Sequence, residues 1–246
     1  MIMMTDPLNE TESSLIFSRQ FIPPQEKEQF SCIIIGDEPE YRSGLIQQFE
    51  SIEKVQIIAA VPGIDHLHNM AEGITPDLAV VQIKIGGKNP IKVIRKLKKR
   101  FPGMLVLVKS NYNVPELVKR ILIAGANGYL MYGTTVHHLQ EAVVSMLAGK
   151  VYIDPALYTA FLSNLMHIDT PPGQFTSEVG GLSETEFSVF IHLGHRLSRK
   201  EIARRAELSV SSVAVYLKRI RNRLDLADNA ALKQYAVQWV ATFLDH

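Results

Sequence analysis

Only one cysteine, Cys32, occurs among the 246 residues, which excludes an intramolecular disulfide and any zinc site built from several cysteines. It lies in an apolar run and reads as a small buried hydrophobe rather than a reactive thiol. No apolar stretch approaches the roughly 18–20 residues that a membrane-spanning helix needs. Residues 1–29 lack the basic-then-apolar order of a secretory signal, so the expectation is a soluble cytoplasmic protein with no membrane partner. A Gly-rich phosphate loop, a nucleophile elbow and an HExxH motif are also absent. The pairs His137–His138 and His192/His195 fall in no recognisable metal-ligand motif and read as ordinary surface or core histidines. These absences argue against an enzyme and against a bound metal or cofactor. The formal net charge is only +1, so partners must be sought in how charge is distributed.

What is present is enough apolar material, 46% of residues, for the cores of two modest domains. Residues 1–29 are polar and mixed, with Pro23 and Pro24, and read as a flexible tail. From residue 30 to 150 short apolar runs alternate with longer amphipathic segments. The runs are Cys32–Ile35, Val55–Ala59, Leu78–Val81, Met104–Val108 and Gly128–Met131. The segments of helical period are Tyr41–Phe49, Asp65–Glu72, Pro90–Arg100, Pro115–Ala124 and Val136–Leu147. Near-continuous β-branched runs separated by helices predict an α/β fold, a doubly wound five-stranded parallel sheet covered on both faces. Functional residues of such a sheet sit at the carboxyl ends of its strands. Residues 151–180 predict a helix over about Pro155–Met166 and then a linker containing Pro171, Pro172 and Gly173. Residues 181–246 read as all helix.

The strongest chemical signal lies in that last segment. Ser183 and Glu186 have the spacing of a capping box, with Phe187, Phe190 and Leu193 on the apolar side of the helix they open. A second helix starts after Ser198, and a turn around Glu207–Ser209 leads to a third. In the third, Val213, Leu217, Ile220 and Leu224 share one face. Ser211, Val215, Lys218 and Asn222 fall opposite, with Ser212 and Arg219 beside them. From Arg196 to Arg223 nine basic residues face two acids, an excess of seven positive charges that suits a polyanion. A small, polar, cationic helix face fits the major groove of duplex DNA. Charge alone is weak evidence, because charged helix faces are commonly just solvated.

The wording of the segment sharpens this. Leu182-Ser183-Glu184-Thr185-Glu186, Leu197-Ser198-Arg199-Lys200-Glu201-Ile202-Ala203, Leu208-Ser209-Val210-Ser211-Ser212-Val213 and Ile220-Arg221-Asn222-Arg223-Leu224 resemble the LuxR-type helix-turn-helix without a gap. The resemblance implies DNA contacts from Lys200, Ser211, Ser212, Val215, Lys218, Arg219, Asn222 and Arg223, and a homodimer on an inverted repeat. Departures are Arg196, where the family has Gly, Ala214 for Lys, and Tyr216 for His. The last helix, from Asn229 to Phe243, places Leu232, Ala236, Trp239 and Phe243 at core spacing, and in the family it often aids dimerisation.

Together the two halves resemble a NarL/FixJ-type response regulator with a receiver-like, flavodoxin-like sheet. Phosphoryl transfer in such receivers needs an acceptor Asp, further carboxylates for magnesium, a Ser or Thr and a Lys. Here Gln82 stands at the acceptor position, and an amide cannot form the acyl phosphate. Gly36 replaces the first acid, Asp37 keeps the second, and Glu38 follows it. Ser110 holds the hydroxyl position and Tyr132 replaces the Lys. The resemblance therefore implies a pseudo-receiver whose altered pocket comprises Gly36, Asp37, Gln82, Ser110 and Tyr132. Such a pocket is either a small-molecule site or part of a domain locked in one conformation for dimerisation, and the second is favoured. The reading is a phosphorylation-independent DNA-binding transcription regulator. The alternative is a regulator that binds another response regulator or a kinase as partner protein, with little DNA binding of its own.

Overall fold

The computed structural model describes residues 27–69, 75–83, 89–158 and 179–243. Six parallel strands form one sheet: β1 (Phe30–Ile35), β2 (Val55–Val61), β3 (Leu78–Ile83), β4 (Leu105–Ser110), β5 (Gly128–Met131) and β6 (Tyr152–Ile153), in the order β2-β1-β3-β4-β5-β6. Four helices connect them: α1 (Pro39–Phe49), α2 (Pro90–Arg100), α3 (Pro115–Ala124) and α4 (Val136–Leu147). Proline opens the first three, where its missing N–H costs no hydrogen bond.

The apolar runs become strands because both faces of the sheet are covered. Ile33, Ile35, Ala79, Val81, Val106 and Val108 enter one core, and their neighbours Cys32, Ile34, Leu78, Val80, Leu105 and Leu107 enter the other. Cys32 is fully buried, which pushes its thiol well above the usual range and keeps it inert.

Three expectations are adjusted. The five predicted strands are all present, and Tyr152–Ile153, assigned to the linker, adds a sixth beside β5. The segment predicted as a helix from Asp65 contains a 3-10 turn over Ile64–Asn69, with part of the predicted span outside the described residues. Of the helix expected over 155–166, the described part is a single 3-10 turn, Pro155–Leu157. The linker proline cluster lies outside the described residues, as does the N-terminal tail up to residue 26. Lys27, near the end of that tail, pairs with Asp77 at 2.6 Å. Partial burial opposes ionisation of Asp77, but hydrogen bonds from Lys27 and Ser31 prevail and hold its carboxyl below the usual range.

The C-terminal helices are α5 (Glu184–Gly194), α6 (Arg199–Ala206), α7 (Val210–Arg223) and α8 (Asn229–Phe243). Their core centres on Trp239, with Phe187 and Phe190 meeting it edge-on at 5.9 and 5.6 Å between ring centroids. Leu232, Ala236 and Trp239 are buried, so this stripe of α8 is core. At Gly194 a Cβ would lie 2.5 Å from the Ala236 carbonyl oxygen, so the residue's smallness sets how closely α5 and α8 approach.

The core of the α2/α3 side runs on into the helical domain without a break. At that junction the Arg120 guanidinium donates to the carbonyls of Gly180 (2.9 Å) and Leu182 (2.6 Å), bonds Glu116 and lies 4.6 Å from the Phe187 ring centre. Arg95 pairs with Glu184, and Lys92 reaches the Ala206 carbonyl at 3.1 Å.

Candidate nucleic-acid interface and receiver pocket

Each helix of the candidate interface is started by a serine. Ser183 and Ser198 each accept from the backbone N–H three residues on, while Glu186 and Glu201 reach back to the serine N–H, completing two capping boxes. Ser209 caps α7 by accepting from the Ser212 N–H at 3.0 Å. Its hydroxyl also lies 2.8 Å from those of Ser211 and Ser212, so the first turn of α7 carries a hydroxyl cluster. Glu207, at φ 57° and ψ 44°, turns the chain between α6 and α7 in the left-handed region.

Helix α7 divides as its period requires. Val213, Leu217 and Ile220 are buried, and Leu224 just beyond the helix joins them. Ser211, Ala214, Val215, Lys218, Arg219 and Asn222 are exposed, and Ser212 is half-buried. Lys200 is exposed near the start of α6. Arg219 lies 5.7 Å from the Tyr216 ring centre, which steadies a long side chain at the edge of the face. Arg223 is placed differently from the others: its guanidinium donates to the Gly181 carbonyl at 2.6 Å and lies 3.5 Å from the buried Glu186 carboxylate. Val210, not among the residues expected in this interface, is 46% exposed at the first position of α7, comparable with Val215 at 50%. The face thus pairs the exposed Val215 with two cations and hydroxyl groups, a mixture able to meet thymine methyls, base edges and phosphates, while Val210 adds an exposed apolar side chain at the start of the helix.

The altered receiver residues meet at the strand ends. Gly36 follows β1, Gln82 lies near the end of β3, Ser110 closes β4 and Tyr132 follows β5. Gln82 donates from Nε2 to Glu38 Oε2 at 2.9 Å, so Glu38 reaches the mouth of the pocket, and both it and Asp37 are exposed. The space beside Gly36 is taken: a Cβ there would lie 2.6 Å from Gln82 Oε1 and 2.8 Å from the Tyr41 ring. Tyr41, which sequence reasoning did not place here, packs against Tyr132 with 5.5 Å between ring centroids. The Tyr132 hydroxyl faces the Gln82 amide without reaching hydrogen-bond geometry. Burial outweighs that amide's pull and pushes Tyr132 up to about 12, so the phenol stays neutral. Burial likewise raises Tyr41. Ser110 is fully buried, accepting from the Tyr112 N–H, and the Tyr129 hydroxyl donates to the Tyr112 carbonyl at 2.7 Å.

Known proteins are similar to this chain in sequence and fold. Residues 32–144 match the response regulator receiver domain. The transcriptional activator protein ExaE of Pseudomonas putida is 27% identical over 84% of this chain and 95% of its own. The nitrate/nitrite response regulator protein NarL of Escherichia coli is 25% identical over 81% of this chain and 91% of its own. Among solved structures, the RcsB response regulator of Salmonella typhimurium superposes with a TM-score of 0.66 at 18% identity, covering 87% of this chain and 99% of that one. RcsB of Salmonella enterica bound to promoter rprA gives 0.62 at 19% identity, over 85% and 98%. Residues 32–144 thus match the response regulator receiver domain, and along more than four-fifths of its length the chain is similar to the NarL-type transcriptional response regulators.

Proposed function

We propose that this protein regulates transcription by binding duplex DNA through α6 and α7, as a homodimer on an inverted repeat and without phosphorylation of its receiver domain. The observation that carries the reading is the exposed face of α7, where Ser211, Val215, Lys218, Arg219 and Asn222 stand free of the core that Val213, Leu217 and Ile220 fill. Lys218 and Arg219 supply base-edge or phosphate contacts, Val215 an apolar contact, and Lys200 and the serine cluster phosphate contacts. Arg223 acts by fixing the end of α7 to Gly181 and Glu186 rather than by reaching a phosphate.

Independence from phosphorylation is supported by how the receiver pocket is filled. With an amide at 82 there is no carboxylate to form the acyl phosphate. Asp37 is the single acid left at its expected place, while Glu38 is engaged by the Gln82 amide and Tyr41 fills the space beside Gly36. That set does not fit magnesium, which wants near-octahedral oxygen ligands. The tight filling also favours a domain locked in one conformation over a small-molecule site. No described helix is long and apolar enough to cross a membrane.

Substituting Lys218→Ala tests the interface. Specific binding weakens, and the log–log salt dependence of affinity flattens by about one unit, the contribution of one phosphate contact. Unchanged affinity and slope would show that α7 is not the recognition helix.

A further inference from the structure

We propose that His137, His138 and Glu141, on the first turns of α4, form a binding site for one divalent transition-metal ion of the zinc class. The histidines and the carboxylate each offer a ligand atom, and those atoms all lie within 4.8 Å of one another. His137 and Glu141 are one helical turn apart, with Nδ1 and Oε2 at 3.8 Å. His138, three residues before Glu141, brings its ring centre to 6.0 Å from that of His137. Tetrahedral zinc with bonds of about 2.0–2.1 Å needs ligand atoms about 3.4 Å apart. The widest pair must close by roughly 1.4 Å, within reach of side-chain torsions on an exposed helix turn. His137 and Glu141 are exposed, and His138 is half-buried, so an ion reaches them directly from solvent.

The surroundings favour this use of Glu141. The Tyr152 hydroxyl donates to its Oε2 at 3.4 Å, tying the carboxylate to the adjacent strand β6. Such a hydrogen-bond partner orients a ligating carboxylate and improves affinity. Two imidazoles select zinc, copper or nickel over magnesium and calcium, which prefer all-oxygen sets. The positive end of α4 opposes a bound cation, and the Glu141 charge offsets it. Three protein ligands leave one tetrahedral position, which water fills.

The full chain is titrated with zinc against a chromophoric chelator, and cobalt is used as a spectroscopic stand-in. A single ion binds at micromolar concentration, and tetrahedral cobalt bands appear in the visible spectrum. His138→Gln and Glu141→Gln each weaken binding by at least about tenfold, the loss seen when even a ligand's hydrogen-bond partner is removed. Far-UV circular dichroism of both variants matches the wild type, because these side chains pack little. Absence of binding at micromolar zinc, a cobalt spectrum identical to that of the free aquo ion, or undiminished affinity in the His137→Gln/His138→Gln double variant would each overturn the assignment.

Discussion

Arg120 offers a test of how the two domains are joined. Its side chain is 10% exposed and that of its partner Glu116 7%, so the pair is effectively removed from water. Replacing Arg120 with Met keeps much of the stem's packing against Phe187 but leaves the Glu116 carboxylate buried without its guanidinium. The Gly180 and Leu182 carbonyls lose a donor in the same step. Breaking one side of a buried pair costs about 3–5 kcal/mol, whereas removing both charges together is far milder. Arg120→Met is therefore expected to lose about 3–5 kcal/mol, a large part of the roughly 5–15 kcal/mol that keeps a protein folded. Adding Glu116→Leu should restore about 2 kcal/mol of that loss, because the buried carboxylate that lost its guanidinium is gone. Urea unfolding followed by far-UV circular dichroism measures both. A cost below about 1 kcal/mol for the single variant, or a double variant less stable than Arg120→Met, would refute the buried junction.

Two further outcomes follow from individual residues. Arg196, a non-glycine residue in the left-handed region, sits at φ 59°. The left-handed region costs an L-residue about 1–2 kcal/mol, and Gly gives back part of the gain in unfolded-chain entropy, so Arg196→Gly should stabilise by about 0.5–1 kcal/mol in thermal melts; a loss of stability would contradict it. His192 is buried in α5, and burial first, then Arg205 and His195, lowers its pKa from the ordinary 6.5 to about 4. A lowered histidine favours the unfolded state once protons are available. Its full stability contribution is present above pH 6.5 and is lost as pH falls from 6.5 toward 4, by an amount on the order of 3 kcal/mol. His192→Leu should flatten that part of the pH profile, and an unchanged profile would count against it.

The sheet was legible because its signals are local. Runs such as Cys32–Ile35 and Met104–Val108 can be buried on both faces only in a covered parallel sheet, and the structure sends alternate residues of β1 and β4 to opposite cores. Strand β6 was not legible, since two residues carry no periodicity. In the helical domain the capping serines and the inward row of α7 were readable for the same local reason. Val210 was not: spacing puts it with Val213 and Leu217, but as the first residue of the helix it stands beyond the neighbours that would cover it. The roles of Arg223 and Lys92, and the carbonyl contacts of Arg120, depend on partners between 37 and 115 positions away, which no spacing rule reveals; only the Arg120–Glu116 pair has helical spacing. In the receiver pocket the lost acid at Gly36 was plain from sequence. That Tyr41 takes up the space a side chain there would need was a matter of tertiary fit.

The central claim is specific DNA binding without phosphorylation, and the most direct test is selection from genomic DNA. Purified protein that has never met a phosphodonor is incubated with sheared genomic fragments, with and without acetyl phosphate, and the retained fragments are sequenced. The account predicts enrichment of the same short inverted repeat under both conditions. Enrichment that requires acetyl phosphate would contradict independence from phosphorylation. No enrichment under either condition would contradict DNA reading by the full chain and favour a regulator that works through a protein partner.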